Sequence, residues 1–227
     1  MVTNKNLVVF DFCETLVNFQ SADKFIFYIL ENNKTFWSIF SKRVNALFSF
    51  FKVYSIFNKI NPELNLSKRI VLLGLRGIPK DNINEAAESY LKDVILLNLN
   101  SEVFNYLAQH KTNGDLLLLS SGGYHPYLEL FQKKLSFNYL MCSKIQFTNN
   151  LATGFLEGND CMHENKVTLL KNLIKLNNLN YNQIITYTDS ITDMPLLKFS
   201  NIGYVISYNN KRDWVKNEKF NEIIIKR

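Results

Sequence analysis

Three apolar runs in this chain end in residues that can do chemistry. "LVVFD" delivers Asp11, with Cys13 and Thr15 just beyond it. "LLLLSSGG" delivers Ser120 and Ser121, then Gly122 and Gly123. "IITYTDS" delivers Asp189, with Asp193 four residues on. Between the last two runs, Lys166 opens an amphipathic stretch. A single polar strand end is ordinary, but three at one rim with a lysine describe a site. Asp11, Asp189 and Asp193 would bring three carboxylates together. Such a cluster repels itself unless a cation neutralises it, and hard oxygen donors select Mg²⁺. Lys166 and one of the two serines beside the ion would hold an anion's oxygens, and Gly122 and Gly123 let backbone N–H groups approach it. Carboxylate, metal, lysine and hydroxyl together point to phosphoryl transfer.

The elements that must position these residues can be read from periodicity. Residues 6 to 12 form a short, β-branched, apolar run that reads as a buried strand. Residues 20 to 110 read as almost wholly helical, with breaks at Asn61-Pro62, Gly77 and Pro79. The last of those helices is capped by Ser101 and stopped by Gly114. "DLLLLSS" is a second buried strand, and 137 to 157 suits short strands with a hairpin near Asn149-Asn150. "KVTLLKNLIKLNN" is an amphipathic helix, "QIITYTDS" a strand, "DMPLLKFS" a helix with Pro195 in its first turns, and "IGYVIS" the last strand. Strands alternating with helices predict a parallel α/β sheet, whose ligands gather at the carboxyl ends of its strands. The long helical block interrupts that rhythm and reads as an inserted helical domain over 18–95, leaving 1–17 and 96–227 as the core.

The chain has 227 residues, 47% apolar and 14% aromatic, which supplies a sizeable core and argues against disorder. A formal net charge of +6 favours anionic partners such as phosphate esters or acidic lipid surfaces. No RNA- or DNA-binding motif accompanies that charge, so no nucleic-acid partner is expected. Cys13, Cys142 and Cys161 have neither metal-site spacing nor a disulfide pattern, which suits reduced thiols and a cytoplasmic location. The apolar run "LVVF" is too short for a signal peptide. Residues 35–57 are long and aromatic, but Lys42, Arg43 and Lys52 break them, and a spanning helix needs about 20 nearly uncharged residues. The stretch reads as a pair of amphipathic helices packed in a core. The alternative is an interfacial helix with its basic residues on the wet side, giving peripheral membrane contact through the cap.

The motifs together resemble those of the haloacid dehalogenase-like (HAD) phosphohydrolases, in the phosphoserine phosphatase-like branch with a helical cap after the first strand. The family pattern D-x-D-x-T-[LV] stands here as D-F-C-E-T-L from Asp11. The apolar strand ending in Ser or Thr stands as "LLLLSSGGY", which matches Ser121. The family's lysine, preceded by a G-N-x-C-type stretch, stands as Lys166 in "EGNDCMHENKV". The acidic motif stands as "YTDSITDMPLL", giving Asp189 and Asp193. The resemblance implies a Rossmann-like parallel sheet core with helices on both faces and an all-helical cap. It implies a Mg²⁺-dependent phosphatase in which Asp11 is the nucleophile and forms an aspartyl-phosphate. Asp11, the backbone carbonyl of Cys13 and Asp189 would hold the metal, with Asp193 in support. Ser121, Gly122 and Lys166 would hold the phosphoryl group, and Thr15 would orient the loop.

Cys13 departs from the pattern, because the family's hydrolases carry an acid/base aspartate there. A thiol with a reference pKa of about 8.5 can donate a proton at neutral pH but is a poor base, and such help is worth roughly 10²–10⁴-fold. Three readings follow: a slow phosphatase, a phosphotransferase that passes the aspartyl-phosphate on, or an impaired protein that binds a phosphorylated ligand. Phe19, Gln20, Arg69 and Arg76, with Lys24, are the candidate substrate contacts from the cap. His125 and His163 read as loop residues. The substrate classes are a small sugar, polyol or amino-acid phosphate, or a lipid phosphate.

Overall fold

The computed structural model describes residues 5–50 and 65–226. Seven strands form one sheet: β1 (Leu7–Asp11), β2 (Leu116–Tyr124), β3 (Tyr139–Thr148), β4 (Leu151–Glu157), β5 (Ile184–Thr188), β6 (Ile202–Tyr208) and β7 (Asn221–Ile225). Their order is β4-β3-β2-β1-β5-β6-β7, and only the β3–β4 pair is antiparallel. All of β1 is buried, as its unbroken apolar run requires for a strand covered on both faces.

Period-2 alternation divides the core into two layers. Val8, Phe10, Leu117, Leu119, Ile185 and Tyr187 face one side, and there they meet helices α5 (Ser101–Thr112) and α6 (His125–Lys134). Leu7, Val9, Leu118 and Ile184 face the other, against α7 (Glu164–Leu176) and α8 (Met194–Phe199). A short helix α9 (Asp213–Asn217) leads into β7. The sheet is therefore the expected parallel α/β core with helices on both faces.

Register then fixes the site. Asp11 is level with Ser120 on β2, and Phe10 is level with Tyr187 on β5. The pairing of β1 with its two neighbours thus ends at one level, while β2 runs on to Tyr124, and Asp11, Ser121 and the Thr188-Asp189 turn are presented at one edge.

The helical block contains α1 (Ser21–Asn32), α2 (Phe36–Phe50), α3 (Leu66–Leu73) and α4 (Lys80–Tyr90), followed by a wide turn over Leu91–Ile95. Phe25, Ile26, Ile29, Val71, Leu72, Ile83 and Tyr90 join the same buried cluster as one face of the sheet. Backbone bonds stitch this block to the β3–β4 hairpin: Gly77 N–H donates to Ala152 O at 2.8 Å, Ala152 N–H to Ile78 O at 2.9 Å, and Lys80 N–H to Asn150 O at 2.9 Å. The hairpin turns at Asn149 and Asn150, where the sequence places it, with φ of 50° and 63°.

Three local expectations need correction. β7 follows β6 as a further strand, because Ile223 and Ile225 in "NEIII" have apolar neighbours to cover only once that edge is built. The residue preceding α5 is Asn100 rather than Ser101, and its amide instead donates to Thr15 O at 3.0 Å. Finally, α2 does not pack its aromatic side into a core. It buries Ser38 and Ser41, because α2 approaches α3 so closely that a Cβ at Gly74 would lie 2.5 Å from Ser41 Oγ. Residues 51–57 of the same aromatic stretch, with Lys52, and the Asn61-Pro62 break lie outside the described residues. Among the described residues, no helix is long and apolar enough to cross a membrane.

Candidate active site

Asp11 ends β1 and is 6% exposed. The chain then makes a wide turn over Phe12–Leu16, closed by Val17 N–H donating to Phe12 O at 3.1 Å. Glu14 takes a left-handed φ of 53° to complete it. The turn brings Cys13 to the first residue of α1: its Sγ lies 3.1 Å from Ser21 Oγ and accepts Ser21 N–H at 3.4 Å. Ser21 Oγ is 2.7 Å from Tyr127 Oη, and Tyr90 Oη donates to Ser21 O at 3.0 Å, so the thiol ends a buried chain of hydroxyls. Burial, then the Asp11 charge, push the thiol up to about 11, and it stays protonated at neutral pH. Thr15 anchors the turn through its carbonyl, while its buried hydroxyl has no hydrogen-bond partner among the described residues.

β2 delivers Ser121 to the same rim. Gly123 N–H donates to Ser121 Oγ at 2.9 Å and orients the hydroxyl, and Ser121, Gly122 and Gly123 all line the cavity at this rim. Position 123 admits only glycine, since a Cβ there would lie 2.1 Å from Tyr127 Oη. Ser120 points away, to 4.0 Å from Cys161 Sγ on the other face.

Lys166, in the first turn of α7, spans the rim. Its Nζ donates to Asp11 Oδ1 at 2.7 Å and to Asp193 Oδ2 at 2.7 Å. Thr188 Oγ1 also donates to Asp193 Oδ2 at 2.7 Å. Burial opposes the lysine's charge, but Asp11 and Asp193 outweigh it and hold the ammonium well above its usual range. Burial pushes the Asp11 carboxyl up to about 6, with Lys166 pulling it down and Asp193 pushing it up. Asp189 is pushed up to about 8 by burial and by Asp11, with the Arg212 charge opposing. Arg212 spends one N–H on the Asp189 backbone carbonyl.

Asp11, Cys13, Gln20, Ser121, Gly122, Lys166, Asp189 and Asp193 line one cavity of about 260 Å³. Phe19, Arg69 and Arg76 do not line it. Phe19 packs beneath Lys24, whose Nζ stands 4.5 Å from its ring. Arg69 is exposed on α3, and Arg76 lies 4.7 Å over the Trp37 ring. His125 and His163 lie outside the cavity as well, the former 3.9 Å from Glu129.

The helical block contributes residues that the sequence reading missed, Lys68 and Asp23, with Asn65 beside them. Lys68 Nζ is buried and donates to Gly122 O at 2.5 Å, Asp160 Oδ1 at 2.5 Å and Ser143 Oγ at 3.2 Å. The signal was present in "NLSKRIVLLGL". Asn65 caps α3 by accepting Lys68 N–H at 3.4 Å, so Lys68, Val71, Leu72 and Leu75 share the inward stripe while Arg69 and Arg76 fall one position outside it. Burial raises the Asp23 carboxyl, and Lys68 pulls it back.

Among the described residues, no three His, Cys, Asp or Glu side chains gather as a metal cluster. The donors available are fewer and hard: the Asp11 and Asp189 carboxylates beside the turn backbone at Cys13. No salt bridge among the described residues neutralises Asp189, although it lies at the buried rim. An unpaired carboxylate beside a second one fits a bound divalent cation.

The family model for the haloacid dehalogenase-like hydrolases matches residues 8–198. The chain belongs to that family. Within it, this hydrolase falls beside the phosphoserine phosphatases. It is 23% identical to the phosphoserine phosphatase of Methanocaldococcus jannaschii, over 87% of this chain and 83% of that protein. Its fold is shared with a Bordetella pertussis protein of unknown function, at a TM-score of 0.80 and 18% identity, covering 97% of this chain and 99% of that one. It is shared too with the phospho-aspartyl intermediate analogue of phosphoserine phosphatase, at a TM-score of 0.64 and 20% identity, covering 99% and 95%.

Proposed function

We propose that this hydrolase is a Mg²⁺-dependent phosphatase of small phosphate monoesters that works through an aspartyl-phosphate on Asp11. One observation carries the reading: Lys166 Nζ sits 2.7 Å from both Asp11 Oδ1 and Asp193 Oδ2, at a rim shared with Ser121 and Asp189. Asp11 attacks phosphorus, its Oδ–P bond forming as the bond to the leaving oxygen breaks. Ser121 Oγ, the backbone at Gly122 and Lys166 hold the non-bridging oxygens. Mg²⁺, when bound by Asp11, Asp189 and the Cys13 carbonyl with Asp193 in support, supplies positive charge against the charge that develops on those oxygens. Cys13 gives its proton to the leaving oxygen. The thiolate so formed takes a proton back from solvent, because burial holds the thiol well above neutral, and it is then no base for the water that must attack the phospho-enzyme.

The core is 1–17 with 96–227, and the segment 18–95 is the cap that closes the chamber. A chamber of about 260 Å³ favours a soluble ester over a lipid phosphate. Asp23 and Lys68 put one carboxylate and one ammonium on its cap side. Lys68 spends its donors on Gly122, Ser143 and Asp160, so the Asp23 carboxylate is the group that suits the ammonium of an amino-acid phosphate, and the phosphoserine phosphatase relatives support the same choice.

The test is phosphate release from phosphoserine, glycerol phosphate and a hexose phosphate with Mg²⁺. Phosphoserine is expected to lead, and Asp11→Asn to release nothing. An adduct on Asp11 that accumulates and passes to an added alcohol marks a phosphotransferase instead. Phosphate binding without turnover on any ester marks a binding protein.

A further inference from the structure

Helix α2 turns its small side to the protein and its aromatic side to solvent. Ser38 and Ser41 are each 2% exposed, while Phe36 is 73%, Ile39 50%, Phe40 41% and Leu47 52% exposed. This orientation is built in. A Cβ at Gly74 would meet Ser41 Oγ at 2.5 Å and Leu30 Cδ1 at 2.9 Å, so only the serine side of α2 fits against α3. At 3.6 residues per turn, Ile39, Arg43, Phe36, Leu47 and Phe40 share roughly 100° of the outer surface. Lys34, Lys42 and Arg43 are exposed on or beside that stripe. From residue 32 to residue 62 the chain has no Asp or Glu, but it has Lys34, Lys42, Arg43, Lys52 and Lys59.

We propose that this face of α2 seats on an anionic lipid surface, with the helix in the plane of the membrane. The aromatic rings and Leu47 enter the headgroup boundary, and the basic residues meet lipid phosphates. Charge decides between this surface and a second copy of the chain. A two-fold interface sets the same patch against itself, and Arg43 would face cations with no carboxylate from the segment to pair them. An anionic bilayer supplies both an apolar layer and the missing negative charge. Each basic residue at such a surface strengthens partition about fivefold. The inference is independent of the reaction proposed above, because α2 contributes no residue to the cavity.

The experiment is sedimentation of the full chain with phosphatidylcholine vesicles, with and without phosphatidylglycerol, at low ionic strength. Binding is expected only with phosphatidylglycerol, with release at high salt and a blue shift in Trp37 fluorescence. The double variant Phe36→Ser/Phe40→Ser, and separately Arg43→Glu, should each lower partition about tenfold or more while turnover of a soluble ester is unchanged. Both sites are already exposed, so folding is not at risk, and unchanged near-ultraviolet circular dichroism confirms it. Protein that stays in the supernatant overturns the proposal. So does equal binding to neutral vesicles, or a dimer in sedimentation velocity that Phe36→Ser/Phe40→Ser dissociates.

Discussion

In the reaction proposed above Cys13 takes the place of a carboxylate that would be both proton donor and base, and its surroundings keep it a protonated thiol. Ser21 N–H at 3.4 Å supports the sulfur, while burial keeps its proton on. Cys13→Asp is therefore expected to raise turnover of an aryl phosphate at least about tenfold in steady-state kinetics, given the roughly 10²–10⁴-fold worth of acid–base help. The gain should be larger still for an alkyl ester, whose leaving group needs the proton more. Lys166→Met leaves Asp11 and Asp193 buried without their shared cation. It should abolish turnover and cost about 3–5 kcal/mol in urea unfolding. Asp11, Ser121, Lys166, Asp189 and Asp193 were legible in the sequence because each closes an apolar run or opens a helix. Lys68 was not, because its neighbour Arg69 has the same charge. Only the starting point of α3, fixed by Asn65, tells which of the two turns inward.

At the scale of elements, α3 does two jobs. Its inner stripe carries Lys68 to Asp160 and Gly122, and Gly74 just after its end receives α2. Lys68→Met should cost about 3 kcal/mol or more by stranding Asp160, and Lys68→Met/Asp160→Leu should recover much of that loss. The same single substitution should raise KM more than it lowers kcat, since Lys68 holds the cap side of the cavity rather than the Asp11 rim. Gly74→Leu should separate α2 from α3 and cost about 1–3 kcal/mol in the same unfolding measurement. Periodicity revealed that α2 is a helix. It could not reveal that the apolar face looks outward, since burial of that face is the usual outcome and the close approach at Gly74 is a tertiary fact. The hairpin at Asn149-Asn150 was legible from its turn residues alone. β7 was not, being short, flanked by charges and dependent on β6 for its apolar cover.

At the scale of the whole molecule, the parallel sheet converts distant sequence into one rim. Repulsion gathered there makes the fold itself a reporter of cation binding. Mg²⁺ that binds only the folded chain should stabilise it by about 2.7 kcal/mol at a hundredfold excess over Kd, read as a rise in Tm. Asp189→Asn removes the unpaired carboxylate, so without Mg²⁺ it should melt no lower than the parent, and with Mg²⁺ it should gain little. An equal Tm rise in both chains would place the ion elsewhere. The backbone bonds from Gly77, Ile78 and Lys80 to the β3–β4 arm have a consequence for traffic through the chamber. A lid riveted along one flank cannot lift away evenly. It must drag that two-stranded arm with it, like a jaw carrying its own hinge plate, because the start of α1 is itself fastened to the core through Ser21, Cys13 and Tyr127.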